Sequence, residues 1–128
     1  VVGRGPDKVA FSYSVGLWSV YQHPELFIFG LPPEMSNNIA AHFVEDHIKG
    51  DDPIVPGKVM DCGTFPLVAK KLSEEAVKEY MLQAGAYHGE GNFDALMIVW
   101  PDQEDRFPWD EGYDSEQWDS SQPRVWED

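Results

Sequence analysis

Four histidines, one cysteine and a surplus of carboxylates are the residues of this chain from which catalysis or metal binding could be built. Imidazoles titrate near neutrality and ligate metals, but His23, His42, His47 and His88 share no zinc-type spacing, and Cys62 has no Cys or His beside it. On an α-helix His42 and His47 lie about 140° apart by the 3.6-residue period and cannot share an ion. His42 and Asp46, at i and i+4, can meet, and such pairs are ordinarily surface contacts. No metal site is expected. Nucleophilic catalysis lacks a G-x-S-x-G elbow, and nothing near Cys62 favours a thiolate. Gly3-x-Gly5 and Gly89-x-Gly91 lack the third glycine and the strand-to-helix setting of a phosphate-cradling turn, so both read as turns. Carboxylate pairs near the C-terminus follow from acid content alone, whereas glycoside hydrolysis needs two held rigidly across a cleft. The catalytic residues are therefore unknown.

The most interesting local site is His23-Pro24-Glu25. Proline biases His23 toward an extended backbone just before an apolar run, which leaves an imidazole and a carboxylate near a strand end, where sites gather. The plainer and preferred alternative has His23 bonded to its own loop and Glu25 exposed at an edge. Phe107-Pro108-Trp109 is read first as a hydrophobic clasp that seals the core and second as an aromatic pocket wall. The candidate ligand-binding residues are Tyr13, Ser14, His23, Glu25 and Trp109.

The elements that must position these residues are legible from periodicity. Residues 9–15 alternate, with Val9, Phe11, Tyr13 and Val15 on a bulky face and Ala10, Ser12, Ser14 and Gly16 on a small one. Small residues let a ligand, a backbone or a second sheet approach closely, packing being the preferred cause. After an aromatic loop at 17–22, the run from Glu25 to Phe29 predicts a buried central strand closed by Gly30. Met35, Ile39, Ala40, Phe43, Val44 and Ile48 recur at three- and four-residue steps, which predicts a helix over 34–48 with proline at its entry and Gly50 at its exit. Residues 58–62 and 65–69 read as two short strands. Ser73 reads as the N-cap of a second helix that runs to about Gly85. The run from Ala95 to Trp100, the most apolar in the chain, predicts a fully buried strand within 93–100. The expected fold class is α+β: a small mostly antiparallel sheet, or a split-barrel-like sheet, with two amphipathic helices. Residues 1–113 would form the single domain and 114–128 an acidic C-terminal extension, with Phe107, Trp109, Tyr113, Trp118 and Trp126 as anchors.

A chain of 128 residues with 42% apolar content and 17 aromatic side chains is long enough to bury a sizeable core without metals or disulfides. A lone cysteine fits a reducing compartment, so cytoplasm is the default expectation, and no segment is apolar enough to span a membrane. Because the chain begins at Val1 rather than methionine, a preceding piece and any targeting information in it are left open. The net charge of −14 opposes phosphate backbones, so nucleic acid is not an expected partner. From Asp102 onward ten acidic residues face only Arg106 and Arg124. The preferred reading is a solvated tail, and the sharper one a surface for a basic protein.

Taken together, Phe11-x-Tyr13-x-Val15-Gly16-Leu17, His23-Pro24-Glu25-Leu26, Phe29-Gly30-Leu31-Pro32, Trp100-Pro101-Asp102 and Phe107-Pro108-Trp109 resemble the bacterial family known as domain of unknown function family 4262, over residues 1 to about 113. The resemblance implies no activity and no catalytic residues. The order strand, loop, His-Pro, apolar strand, helix is also similar in layout to flavin-reductase-type split barrels. That layout would set FMN against the small Ser12, Ser14 and Gly16 face, with Tyr13, His23 and Trp109 as pocket walls. Two functions follow as expectations. The first is a protein-binding module of inhibitor or immunity type that captures a basic protein and needs no cofactor. The alternative is a flavin- or small-molecule-binding enzyme.

Overall fold

A computed structural model describes residues 2–4, 9–50, 54–61, 66–89, 91–118 and 121–127. The chain runs β1 (Val2–Arg4), β2 (Ala10–Tyr13), α1 (Leu17–Tyr21), β3 (Glu25–Phe29), α2 (Pro33–Phe43), β4 (Val59–Asp61), β5 (Pro66–Lys71), α3 (Glu74–Tyr80), α4 (Leu82–His88), β6 (Ala95–Val99) and α5 (Ser115–Trp118). The strands form one sheet in the order β1-β2-β3-β6-β5-β4. All neighbours are antiparallel except β3 and β6, which run parallel with Leu26 opposite Leu96. The fold is α+β. Of the two sheet arrangements expected, the described strands form the open, mostly antiparallel one, with β1 and β4 at its edges.

Both faces of the sheet are covered, and this explains the strand sequences. Phe11, Tyr13, Phe27, Phe29, Met97 and Val99 pack on one face with Ala76, Met81 and Ala84 of the α3–α4 region. Leu26, Ile28, Leu67, Leu96 and Ile98 pack on the other with Ile39 and Phe43 of α2. A strand buried on both sides must be apolar at every position, and all five residues of β3 and of β6 are buried. The one residue of these two strands that breaks the rule is Glu25.

Several elements differ from their sequence expectations. Residues expected as an aromatic loop contain α1, because a carboxylate from β3 satisfies the N–H groups of its first turn. The helix expected over 34–48 is α-helical only to Phe43 and continues as a π turn over Val44–Ile48, in which Lys49 N donates to Val44 O at 2.8 Å. That turn brings the His42 and His47 rings to 6.0 Å, closer than the α-helical reckoning allows, while His42 Nε2 pairs with Asp46 at 3.2 Å. The helix expected to reach Gly85 begins as anticipated, with Ser73 Oγ accepting Ala76 N, but breaks at Met81. Gln83 N there donates to the Tyr13 hydroxyl at 3.1 Å, a partner seventy residues away. Of the strands expected over 58–62 and 65–69, β4 and β5 are present, while Cys62 and Phe65 lie outside the described residues.

The C-terminal segment is not the solvated tail preferred from composition. Gln122 is fully buried and bonds Trp100 twice, accepting from its N and donating to its O, each at 2.9 Å. Trp118 meets Trp100 edge-on at 5.5 Å, and Trp126 bridges to Leu72. Ser73 N donates to Val125 O and Glu127 N to Lys71 O. Gly30, at φ 78°, explains why a glycine closes β3: a Cβ there would collide with the backbone carbonyl of Ser121. No helix among the described residues is long and apolar enough to cross a membrane.

Candidate ligand-binding site

Glu25 opens β3 and its side chain is completely buried. A buried carboxylate costs several kcal/mol unless its lone pairs are filled, and here five donors fill them. Oε1 accepts Ser14 Oγ at 2.8 Å and Leu17 N at 3.0 Å. Oε2 accepts Gly16 N at 2.8 Å, Trp18 N at 3.3 Å and His88 Nε2 at 2.6 Å. Three of the donors are N–H groups at the start of α1, where a helix leaves its donors unpaired and favours negative charge. Gly16, at φ 124°, turns the chain so that those donors converge. The fifth comes from the last residue of α4, whose imidazole is 4% exposed and lies against Tyr87 and Phe93. One carboxylate thus ties β2, α1, β3 and α4 together.

The knot holds Ser14 and His88 in fixed positions about the Glu25 carboxylate. Ser14 Oγ donates to Glu25 and accepts Leu26 N at 2.9 Å, so its hydroxyl proton is engaged with a carboxylate that has no free lone pair to take it. Histidine reaches the carboxylate and not the serine, which is not the order in which a base activates a nucleophile. Among the described residues no group of three His, Cys, Asp or Glu side chains is arranged to hold a metal ion.

Beside the knot, a cleft of about 400 Å³ opens between β2, β3 and α2. It is lined by the small strand face, Ser12 and Ser14, by Leu26 and Ile28 of β3, and by Ser36, Asn37 and Ala40 of α2. Its volume falls within the roughly 300–1,000 Å³ usual for small-molecule sites. None of the described lining residues is charged. Ser36 is 2% exposed, and its hydroxyl has no hydrogen-bond partner among the described residues. Buried polar groups are almost always paired, so the hydroxyl of this cleft-lining residue is an unsatisfied group beside the cleft.

The sequence-derived candidates divide. Ser14 and Glu25 meet, and Ser14 borders the cleft. Glu25 is not exposed at an edge, because β6 covers the flank of β3 that local sequence leaves open. Tyr13 also borders the cleft, but its hydroxyl points to α4 on the other face. His23 turns to its neighbour, with Nδ1 2.8 Å from Pro24 O, and is absent from the cleft lining. Trp109 belongs to another cluster: 44% exposed, it stacks flat on buried Phe107, meets Trp126 edge-on and carries Lys70 Nζ 4.5 Å above its ring. The clasp reading therefore describes Phe107, with Trp109 as its outer layer. Sequence reasoning left His88 unassigned and passed over Ser36. Ser36 stands three residues before Ile39 and seven before Phe43 on the buried stripe, and a polar residue on such a stripe was the available signal.

Residues 1–114 match the model of a family described as Domain of unknown function (DUF4262). No curated protein and no solved structure matches the chain.

Proposed function

The chain belongs to the DUF4262 family, and we propose that it is a small-molecule-binding module whose cleft takes an uncharged heterocycle bearing hydrogen-bond donors and acceptors. The observation that carries this reading is the orphan hydroxyl of Ser36, a residue that lines the cleft. Ser12 and Asn37 add groups that both donate and accept, Ser14 adds an acceptor, and Leu26, Ile28 and Ala40 add apolar walls for a ring. The bond from Ser14 to the Glu25 carboxylate polarises the hydroxyl and makes its oxygen a better acceptor for a ligand N–H. Charge argues for an uncharged ligand: none of the described lining residues is a cation that would neutralise an anion, and the chain carries −14 overall. FMN would bring a phosphate without a partner, so riboflavin should bind at least as tightly.

Ligand-observed NMR with adenine, uracil, nicotinamide, riboflavin and FMN tests the proposal. Saturable binding of at least one uncharged member, lost in a folded Ser36→Leu variant that fills the cleft, is the expected result. Binding of none, or binding that survives Ser36→Leu, refutes it.

The acidic surface supports a second reading, capture of a basic protein. Glu104, Glu111 and Glu116 are exposed carboxylates on the C-terminal segment. Truncation would remove Trp118 and Gln122 as well, so a Glu104→Gln, Glu111→Gln, Glu116→Gln triple variant is the cleaner probe. Affinity for a basic partner should fall in that variant and with rising salt, and an unchanged affinity would dismiss this reading.

A further inference from the structure

A second pocket, sharing no lining residue with the cleft, lies where the parallel strands β3 and β6 end. Ligands of sheets with parallel strands characteristically sit beyond the strands' carboxyl ends. Here the chain leaves β3 at Leu31 and β6 at Trp100-Pro101-Asp102, two of the sequence motifs that the cleft does not use. The pocket measures about 340 Å³ and is walled by Leu31, Met35, Trp100 and Trp118, with Asp102, Gln103 and Asp105 at its polar side.

Three observations define what it would hold. The Trp100 and Trp118 rings stand at 89° with centroids 5.5 Å apart, forming two walls of an aromatic corner. The described lining residues include two aspartates and no basic side chain. Arg106 is turned to Asp102, whose carboxylate it shares with the backbone N–H groups of Glu104, Arg106 and Asp114. Trp118 Nε1 is buried with no acceptor among the described residues. Indole faces attract cations, and an aspartate such as Asp105 at the pocket's edge strengthens that attraction.

We propose that this pocket binds a small quaternary ammonium cation carrying a hydrogen-bond acceptor, of which choline is the simplest. Its methyl groups would meet Trp100, Trp118 and Met35, its charge Asp105, and its oxygen the Trp118 N–H. The cation can be free or the headgroup of a lipid.

Calorimetric titration with choline and with 3,3-dimethylbutan-1-ol, its uncharged isostere, tests the assignment on the full chain. Choline should bind about tenfold tighter than the alcohol. Asp105→Asn should weaken choline severalfold and leave the alcohol unchanged. Asparagine tolerates the left-handed backbone at this position, φ 59°, so the fold is kept. Trp118→Leu should abolish both, although it also removes a contact to Trp100. Equal affinity for the two probes, an unchanged Asp105→Asn variant, or no choline binding overturns the proposal. Cosedimentation with phosphatidylcholine vesicles, reversed by choline, would identify the lipid headgroup as the source; choline binding without cosedimentation identifies the free cation.

Discussion

Replacing Ser36 by alanine should stabilise the ligand-free protein, an unusual outcome for a buried residue. A buried hydroxyl without a partner forfeits about 1–3 kcal/mol of solvation, and Ser36 is such a group. Alanine also favours the helix by about 0.5 kcal/mol over serine, and Ser36 lies within the first turns of α2. Against this stands the loss of one oxygen's packing contacts, about 0.5 kcal/mol. The balance is a gain of about 1–3 kcal/mol. With a urea m-value of about 2 kcal/mol/M for a chain of this size, the unfolding midpoint should rise by about 0.5–1.5 M. Tryptophan emission reports it, since the chain has five tryptophans. Ser14→Ala is the contrast: it removes bonds to Glu25 and Leu26 and should lower stability by about 2 kcal/mol. A falling midpoint for Ser36→Ala would refute the reasoning, because the hydroxyl would then be well bonded in the free protein.

Glu25→Ala strands five donors at once and should cost about 3–5 kcal/mol in urea unfolding, with α1 losing its helical signal by NMR. Gln122→Ala leaves the Trp100 N–H and C=O unpaired and should cost about 2–3 kcal/mol, while freeing the C-terminal segment to exchange amide hydrogens faster. Burial alone would push the Asp102 carboxyl up, but the N–H groups of Arg106, Asp114 and Glu104, with the Arg106 guanidinium, hold it below the ordinary carboxylate range. A group depressed in the folded state contributes fully above its unfolded value, near 4, and loses that contribution as pH falls through its lower folded value. Unfolding midpoints measured from pH 6 down to about pH 2 should therefore show a smaller acid loss for Asp102→Asn than for the parent chain.

What sequence could disclose followed the range of the interactions involved. The strands β3 and β6 and the helix α2 were legible because their patterns reflect burial on two faces or one. The break at Met81 was not, since it depends on Tyr13 taking the Gln83 N–H. Helix α1 was hidden for the same reason: its capping group is the Glu25 carboxylate, which stands after the helix in sequence rather than before it. Composition misjudged the C-terminal segment because Trp118, Gln122 and Trp126 outweigh its charge by fitting partners just after β6 and β5. Within the candidate site, Ser14 and Glu25 were identified from a small strand face and a strand-end carboxylate. His88 could not join them from sequence, because 63 residues separate it from Glu25 and only the fold closes that distance.

Backbone-amide chemical-shift mapping during titration with the tightest-binding uncharged heterocycle tests the central claim most directly. The account predicts that the largest perturbations fall on Ser12, Ser14, Ser36 and Asn37, and that Ser36→Leu removes them. Perturbations confined to other faces, or none with any of the five compounds, would contradict it.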